Sequence, residues 1–525
     1  MEHACLRHTE IPGTSRLFAD FQYRFDKVAQ FFGYDPGQLE SYRAAAREIQ
    51  YPDDRRAALI QALRRSQENS LALERLAKPE TVAVVTGQQV TLFGGPAYTI
   101  YKALTAAKLA EELNRAGIPA VPVFWLATED HDFAEANHCH VFDEAQRPVE
   151  LRITANGAAN RPMEYVCADE FPLTELERAL QHLPYAKEAV AFAQESYQPG
   201  LRIGQAFERL MRCLLGKLDF VYFDPMQPEI RDLAAPFLRE AVLRSDDLGA
   251  KLIERGRELA GAGYHAQVHF EADTSLFFVL DGERRIGLRR RDGGYAAPGH
   301  RYSREELADF GGKLSPNALL RPVMQDYLLP TVSYIGGPGE VAYLAQSEVL
   351  YRDLLGRMPV TRARSGFTLI DERSHRRMER YGLAVTDLFE GEERVRERMA
   401  AKLTPPELLG RFAESRREAE RLTNKLRTSI IGFDPTLAKA MEKSSAKILY
   451  QIAKMEDKTK REAVRRDERA LRDAASFSGL VFPEKHLQER FYAILPFIAQ
   501  YGSGIIDELY ALVHLDCPDH QVATI

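Results

Sequence analysis

Two short runs hold the residues best suited to chemistry: Thr86-Gly87-Gln88-Gln89 and Glu129-Asp130-His131-Asp132. Three carboxylates and an imidazole in consecutive positions are expensive to desolvate. Such clusters therefore serve proton transfer or metal binding more often than packing. His131, whose acidic neighbours raise its basicity, is the candidate general base or amine-positioning group. Glu129, Asp130 and Asp132 are the other acid–base candidates. Thr86, Gln88 and Gln89, with the backbone N–H groups around them and Lys102 about one turn into the following helical pattern, are donors suited to an anion such as phosphate. A second reading gives Asp130, His131, His138 and His140 to a zinc ion; the ligand types suit zinc, but the spacing matches no common zinc motif. The plain alternative is a solvated turn with an accidental run of charge.

The flanking residues dictate where these runs must sit. Val82-Ala83-Val84-Val85 is a short, β-branched, apolar run of the kind buried on both faces of a sheet. A glycine-rich segment to Pro96 follows, then a helical pattern from Tyr98 to Arg115 stopped by Gly117. A second apolar run, Val121 to Leu126, delivers the acidic cluster. Strand, helix, strand with this spacing predicts a parallel pair, so both runs fall at the carboxyl edge of one sheet, where open α/β sheets bind ligands. Two further strands, Asp219–Pro225 and Leu329–Ile335, fit the same sheet, and Asp224 ends the first of them. Gly336-Gly337-Pro338-Gly339-Glu340 then repeats the strand–glycine–helix arrangement; Glu340 at the helix start would repel phosphate and favours an amine or a sugar hydroxyl. No G-x-x-x-x-G-K-[ST] or G-x-G-x-x-G sequence is present, which argues against a P-loop and a nicotinamide cofactor.

These blocks resemble the cysteine ligase family of bacillithiol biosynthesis, BshC. The resemblance is carried by Val84-Val85-Thr86-Gly87-Gln88-Gln89, Leu92-Phe93-Gly94-Gly95-Pro96, Pro122-Val123-Phe124-Trp125-Leu126-Ala127 and Glu129-Asp130-His131-Asp132. It continues through Leu314-Ser315-Pro316-Asn317, Arg321 to Pro330, Gly336 to Tyr343, Phe482-Pro483-Glu484 and Leu487-Gln488-Glu489-Arg490. It implies a Rossmann-like core with a long helical coiled-coil arm, a homodimer, and the joining of cysteine to glucosaminyl-malate as the last step in making the thiol. It also makes Asn317, Arg321, Gln325, Asp326, Gly336, Gly337, Gly339, Glu340 and Tyr343 candidate substrate or nucleotide contacts. Amide formation from a carboxylate needs an activated oxygen, so ATP is the expected co-substrate; no resident cofactor or metal is expected. Two rival classes are a nucleotidyl-transferase with another acceptor and a non-catalytic dimeric scaffold.

The fold class expected is α/β, a Rossmann-like parallel-sheet core with insertions and an antiparallel helical arm. Residues 1–372 form the core, with N-terminal helices and a β-rich insertion at about 264–300 built from Tyr264–Phe270, Leu276–Leu280 and Arg285–Arg290 around an Asp281-Gly282 turn. Arg284-Arg285 and Arg289-Arg290-Arg291 read as solvated hairpin positions. Pro359–Ile370 reads as a last core strand. Residues 373–475 form the arm: Phe412, Ala419 and Leu426, then Met441, Ile448 and Met455, recur every seven residues. That seam is thin, so the arm needs a partner surface. Met441-Glu442-Lys443-Ser444-Ser445 is similar to the Lys-Ser signature of class I aminoacyl-tRNA synthetases, but it lies in the arm without a His-x-Gly-His companion and reads as helix surface. Residues 476–525 turn apolar and return to the core or the base of the arm.

A net charge of −6 over 525 residues gives no global attraction for nucleic acid or anionic membranes. The five cysteines form no C-x-x-C pair, and no apolar run approaches the length of a membrane span. A cytoplasmic protein without a disulfide framework is expected.

Overall fold

The apolar runs become a five-stranded parallel sheet in a computed structural model that describes residues 2–67 and 70–525. Its strands are β1 (Val82–Gln88), β2 (Ala120–Leu126), β3 (Val221–Phe223), β4 (Thr331–Gly336) and β5 (Val360–Ala363). Their order across the sheet is β5-β4-β1-β2-β3, every pair parallel. Alternate residues serve opposite faces: Val82 and Val84 pack into one apolar cluster, Ala83 and Val85 into the other. Burial on both sides explains why the strands read as unbroken apolar runs.

The helix α1 (Tyr98–Arg115) follows β1, and α2 (Pro338–Leu355) follows β4. Gly117, at φ +81°, ends α1 in the left-handed region while the Ile118 N–H returns to the Leu113 carbonyl at 2.9 Å. The chain leaves β1 and β4, which are adjacent, in opposite directions across the sheet. The crevice outside their carboxyl ends is therefore the topological switch point. Gly87 is required there, because a Cβ on it would stand 2.9 Å from the Trp125 Cβ on β2.

Three further sheets surround this core among the described residues. The insertion is an antiparallel sheet in the order His300–Tyr302, Gly294–Ala297, Arg284–Arg291, Thr274–Asp281, Leu314–Pro316. The expected strand at Tyr264–Phe270 is irregular chain instead; its Val268 pairs both backbone groups with the Gln346 side chain rather than with a strand. Arg285 corrects the solvated reading of its arginine run, since it is buried. His138–Phe142 and Pro148–Arg152 form a two-stranded hairpin. The expected strand at Pro359–Ile370 divides into β5 and Phe367–Ile370, which joins a separate sheet with both chain ends: Glu2–Leu6, His520–Thr524, Phe367–Ile370.

The arm is an antiparallel helix pair, Pro406–Ile431 and Pro435–Arg465, with Glu392–Leu403 and Glu468–Val481 at its base. The Lys-Ser run lies on the Pro435–Arg465 helix, with Glu442, Lys443 and Ser444 exposed. No helix among the described residues is long and apolar enough to cross a membrane.

The C-terminal segment is stapled to the core by two buried side chains. Gln488 imitates a strand, accepting from the Leu369 N–H at 2.7 Å and donating to the Leu369 carbonyl at 2.9 Å. Glu489 takes Arg364 in a two-pronged ion pair at 2.6 and 2.9 Å and accepts the Phe367 N–H at 3.0 Å. Burial disfavours the Glu489 carboxylate, but Arg364 and its other donors outweigh that and bring its pKa down to about 2. A carboxyl group whose pKa is lower folded than unfolded stabilises the fold above its unfolded value of about 4.3 and loses that contribution as pH falls through its folded value. Glu489→Gln is therefore expected to cost about 3–5 kcal/mol at neutral pH. In urea denaturation the gap to the parent protein should shrink as pH falls from about 5 to about 2; a gap independent of pH would show that the carboxylate's charge is not what holds the segment.

Candidate active site

The carboxyl ends of β1, β2 and β4 open into a cavity of about 610 Å³. Gln88 and Gln89 line it from the β1 loop, Glu129, Asp130 and His131 from the β2 loop, and Gly337, Gly339, Glu340 and Tyr343 from the start of α2. Asn317 and Arg321 complete that rim. The glutamine run and the acid–imidazole run thus share one cavity, as a parallel β-α-β unit requires.

The two glutamines reach in opposite directions. Gln88 donates to the Tyr98 hydroxyl at 3.3 Å and accepts from Lys102 Nζ at 3.4 Å. Gln89 donates to Asp130 Oδ2. Lys102 does not extend into the open crevice. Its buried ammonium lies beneath the floor, 2.7 Å from Glu340 Oε2, and donates to the Gly87 carbonyl. Burial lowers the Lys102 pKa, and Glu340 opposes the shift. Burial likewise works against the Glu340 carboxylate, but Lys102 and the Gly337 N–H, at 2.8 Å, keep its pKa below the ordinary range. Glu340 Oε1 also accepts the Tyr334 hydroxyl at 2.6 Å. The acid at this helix start is therefore neutralised from below, and the repulsion of anions expected from its position is cancelled.

The β2 loop is organised by Arg285, which reaches in from the insertion. Its guanidinium lies 4.0 Å from the Phe278 ring centre and donates to Ser315 Oγ at 3.0 Å and to the Pro316 carbonyl at 2.8 Å. Its Nη1 is 3.1 Å from His131 Nδ1 and 3.6 Å from Asp130 Oδ1. A guanidinium has no acceptor, so His131 Nδ1 must accept. That places the ring proton on Nε2, for which no partner exists among the described residues. Asp130 Oδ1 also accepts the His131 N–H at 2.7 Å. Burial pushes the Asp130 carboxyl up, yet the bonds it accepts from Gln89 and the His131 backbone N–H, with the nearby Arg285, hold it well below the usual range. Glu129 is buried, takes the Ser315 hydroxyl at 2.9 Å and lies 3.6 Å from Arg231. The opposite rim carries Arg321, which donates to the Tyr343 hydroxyl at 2.9 Å, and Arg490, whose guanidinium lies 5.6 Å from the Tyr98 ring centre and meets no carboxylate among the described residues.

Other residues singled out in the sequence lie outside the cavity. Thr86 is buried in the sheet, its hydroxyl spent on the Ile335 carbonyl at 3.0 Å. Gly336 ends β4, where a Cβ would stand 3.0 Å from the Glu340 Cβ. Gln325 and Asp326 are buried and bonded to each other at 3.0 Å, on a short helix leading into the amino end of β4, the edge away from the crevice. Asp132 is exposed and caps the next turn by accepting the Glu135 N–H at 3.1 Å. The proposed zinc set does not assemble: His140 stacks on Phe491 at 4.1 Å, His138 is turned to the Ala134 carbonyl and Asn137, and His131 is held by Arg285. Among the described residues, only Cys5, Cys517 and Asp519 gather as three metal-ligand types.

Sequence reasoning missed Arg285, Glu135 and Arg490 as lining residues. Arg490 closes a block that carried the resemblance, and the adjacent Glu489 was the available signal. Glu135 lies four positions beyond His131 and is exposed at the cavity's mouth; partial loss of solvent first, then Asp130 and Asp132, raise its pKa against a bond from Gln89.

Nitrogen NMR of the imidazoles should show His131 fixed as the Nε2–H tautomer, and Arg285→Met should release it to a mixture. An Nδ1–H signal in the parent protein would contradict the hydrogen bond from Arg285.

Comparison with known proteins assigns the whole of this architecture. The profile of the N-terminal Rossmann-like domain of bacillithiol biosynthesis BshC matches residues 1–365, and that of the BshC C-terminal coiled-coil domain matches residues 367–525. The chain is 50% identical over the full length of both sequences to a protein of Solibacter usitatus named "Putative cysteine ligase BshC". It is 34% identical to the same-named protein of Koribacter versatilis, covering 99% of each chain, and 30% identical to that of Salinibacter ruber, covering 96% and 95%. The cavity at the switch point is thus formed by the two halves of one family's architecture, and the chain belongs to the BshC family of bacillithiol biosynthesis.

Proposed function

We propose that this cavity joins the carboxyl group of cysteine to the amine of glucosaminyl-malate, with ATP activating the carboxylate, in a cytoplasmic enzyme. The observation that carries the reading is the division of charge across one cavity in a chain of this family. Arg321 and Arg490 line one side with no carboxylate in ion-pair contact among the described residues, though Arg321 feels the charge of Glu340, and the groups able to handle protons line the other. Arginines recognise planar carboxylates and phosphates in two-pronged fashion, which suits the malyl group and the nucleotide. The first N–H groups of α2, beside Gly337 and Gly339, add donors to the same side because Lys102 cancels Glu340.

The amide bond forms when the sugar amine attacks the activated carbonyl, so the ammonium must first lose a proton. Asp130 is held ionised by its donors and is a weak base. Glu135, with its raised pKa, is the better acceptor at the mouth of the cavity. His131, with its Nε2 proton fixed by Arg285, acts as a donor to the oxygen on which charge develops. This assignment differs from the basic role that its acidic neighbours suggest in the sequence.

The test is reconstitution. Purified protein given cysteine, glucosaminyl-malate and ATP should form the amide thiol, read by mass, with release of pyrophosphate or phosphate according to the activated species. A cell lacking the protein should accumulate glucosaminyl-malate; unchanged thiol pools would overturn the reading. His131→Ala and Glu135→Gln are each expected to lose roughly 10²–10⁴ in rate. His131→Gln, which keeps an N–H donor, should lose less than His131→Ala. Equal losses would return His131 to the role of base.

The arm supplies a homodimer contact in this proposal. Leu426, Ile448 and Met455, three of the six heptad residues, are exposed on the hairpin, while Phe412, Ala419 and Met441 are half-buried; Phe433 at its tip is 86% exposed. Exposed apolar residues on a helical hairpin are the kind a second copy covers in a coiled coil. Sedimentation of the parent protein should give a dimer, and Leu426→Glu with Ile448→Glu a folded monomer; a monomeric parent protein would refute the contact.

A further inference from the structure

The chain ends meet at the three-stranded sheet, and the side chains gathered there have no part in the cavity. Cys5 lies on Glu2–Leu6, which pairs antiparallel with His520–Thr524, Cys5 facing Gln521. Asp519 immediately precedes that second strand, and Cys517 folds back beside it, its N–H on the His514 carbonyl at 3.3 Å. The sulfurs of Cys5 and Cys517 are 3.6 Å apart, and the two sulfurs and an Asp519 carboxylate oxygen all lie within 4.8 Å of one another.

We propose that Cys5, Cys517 and Asp519 bind a thiophilic divalent cation of the zinc class, with a water in the fourth position. A tetrahedral zinc with zinc–sulfur bonds of about 2.3 Å sets its two sulfurs about 3.8 Å apart, close to the separation observed and far from the roughly 2.0 Å of a disulfide. The carboxylate is already oriented from behind. The Tyr23 hydroxyl donates to Asp519 Oδ1 at 2.8 Å and accepts the His8 N–H at 2.7 Å. Gln22 Nε2 donates to the Pro518 carbonyl at 2.8 Å, fixing the residue between the two C-terminal ligands. Outer contacts of this kind hold metal ligands in place. Cys5 is exposed and Cys517 and Asp519 half-buried, so the site opens to solvent on the side a bound water would take. Loading forms two zinc–sulfur bonds, breaks two S–H bonds and releases two protons to the buffer per metal. The bound cation clips the edge strand Glu2–Leu6 to its neighbour His520–Thr524, adding to one ladder and the packing of Leu6.

The experiment uses the full-length protein, reduced, stripped with chelator and titrated with zinc and then cobalt. Expected are one metal per chain, two protons released, the visible absorption of tetrahedral cobalt–thiolate, and a higher Tm with metal than without. Cys5→Ser with Cys517→Ser should weaken binding at least tenfold, and Asp519→Asn should weaken it less. Cys213→Ser, an exposed cysteine elsewhere, should leave it unchanged. Failure of the reduced parent protein to take up stoichiometric metal would overturn the site. So would uptake undiminished in the double serine variant, or a loss as large in Cys213→Ser.

Discussion

A lysine ammonium buried beneath the floor of the crevice, paired with a glutamate at 2.7 Å, is the contact on which the cavity depends. Lys102 belongs to α1 and Glu340 to α2, so the pair ties together the two helices that diverge from adjacent strands. It also orders both loops, since Lys102 holds the Gly87 carbonyl and Gln88, while Glu340 holds the Gly337 N–H and Tyr334. An ion pair this deep survives only when the remaining hydrogen-bonding capacity is filled, as it is here. Its value to the site is electrostatic as well as mechanical: a helix N-terminus that opens with an acid keeps its attraction for anions because the acid's charge is already answered.

A second layer of control comes from outside the Rossmann-like sheet. Arg285 arrives from the antiparallel insertion and Arg490 from the C-terminal segment, and each faces a different side of the β1 loop. The insertion is therefore a wall of the site. By donating to His131, Arg285 decides which ring nitrogen carries the proton, and so whether that imidazole can give or take one.

Much of this was legible in the residues. The apolar runs at 82–85 and 121–126 had the unbroken pattern of strands buried on both faces, and strand–helix–strand spacing was enough to bring Gln88, Gln89, Asp130 and His131 to one edge. The helical arm showed itself by charge and heptad spacing. What was not legible depended on tertiary partners. Lys102 looked like a donor to ligand because nothing local says that Glu340, more than two hundred positions away, will claim it. Arg285 sat in a run of arginines that a hairpin normally leaves in water, and its burial is offset by tertiary partners: the Phe278 ring, Ser315, the Pro316 carbonyl, His131 and Asp130. Tyr264–Phe270 had strand-like composition but finds Gln346 instead of a neighbouring strand. The split of 359–370 into two sheets follows from Glu489, whose bonds to Arg364 and the Phe367 N–H hold the segment between them.

The buried Arg364–Glu489 pair has a wider meaning for how this architecture can be divided. Its arginine comes from the last stretch of the Rossmann-like half and its glutamate from the half that carries the arm, and the neighbouring Arg490 is delivered into the cavity by the same turn. The seam between the two halves therefore runs along the cavity, which residues of both line. Neither half is a module in the sense of a self-sufficient piece: separating them would strand a buried charge on each side and remove part of the cavity's lining.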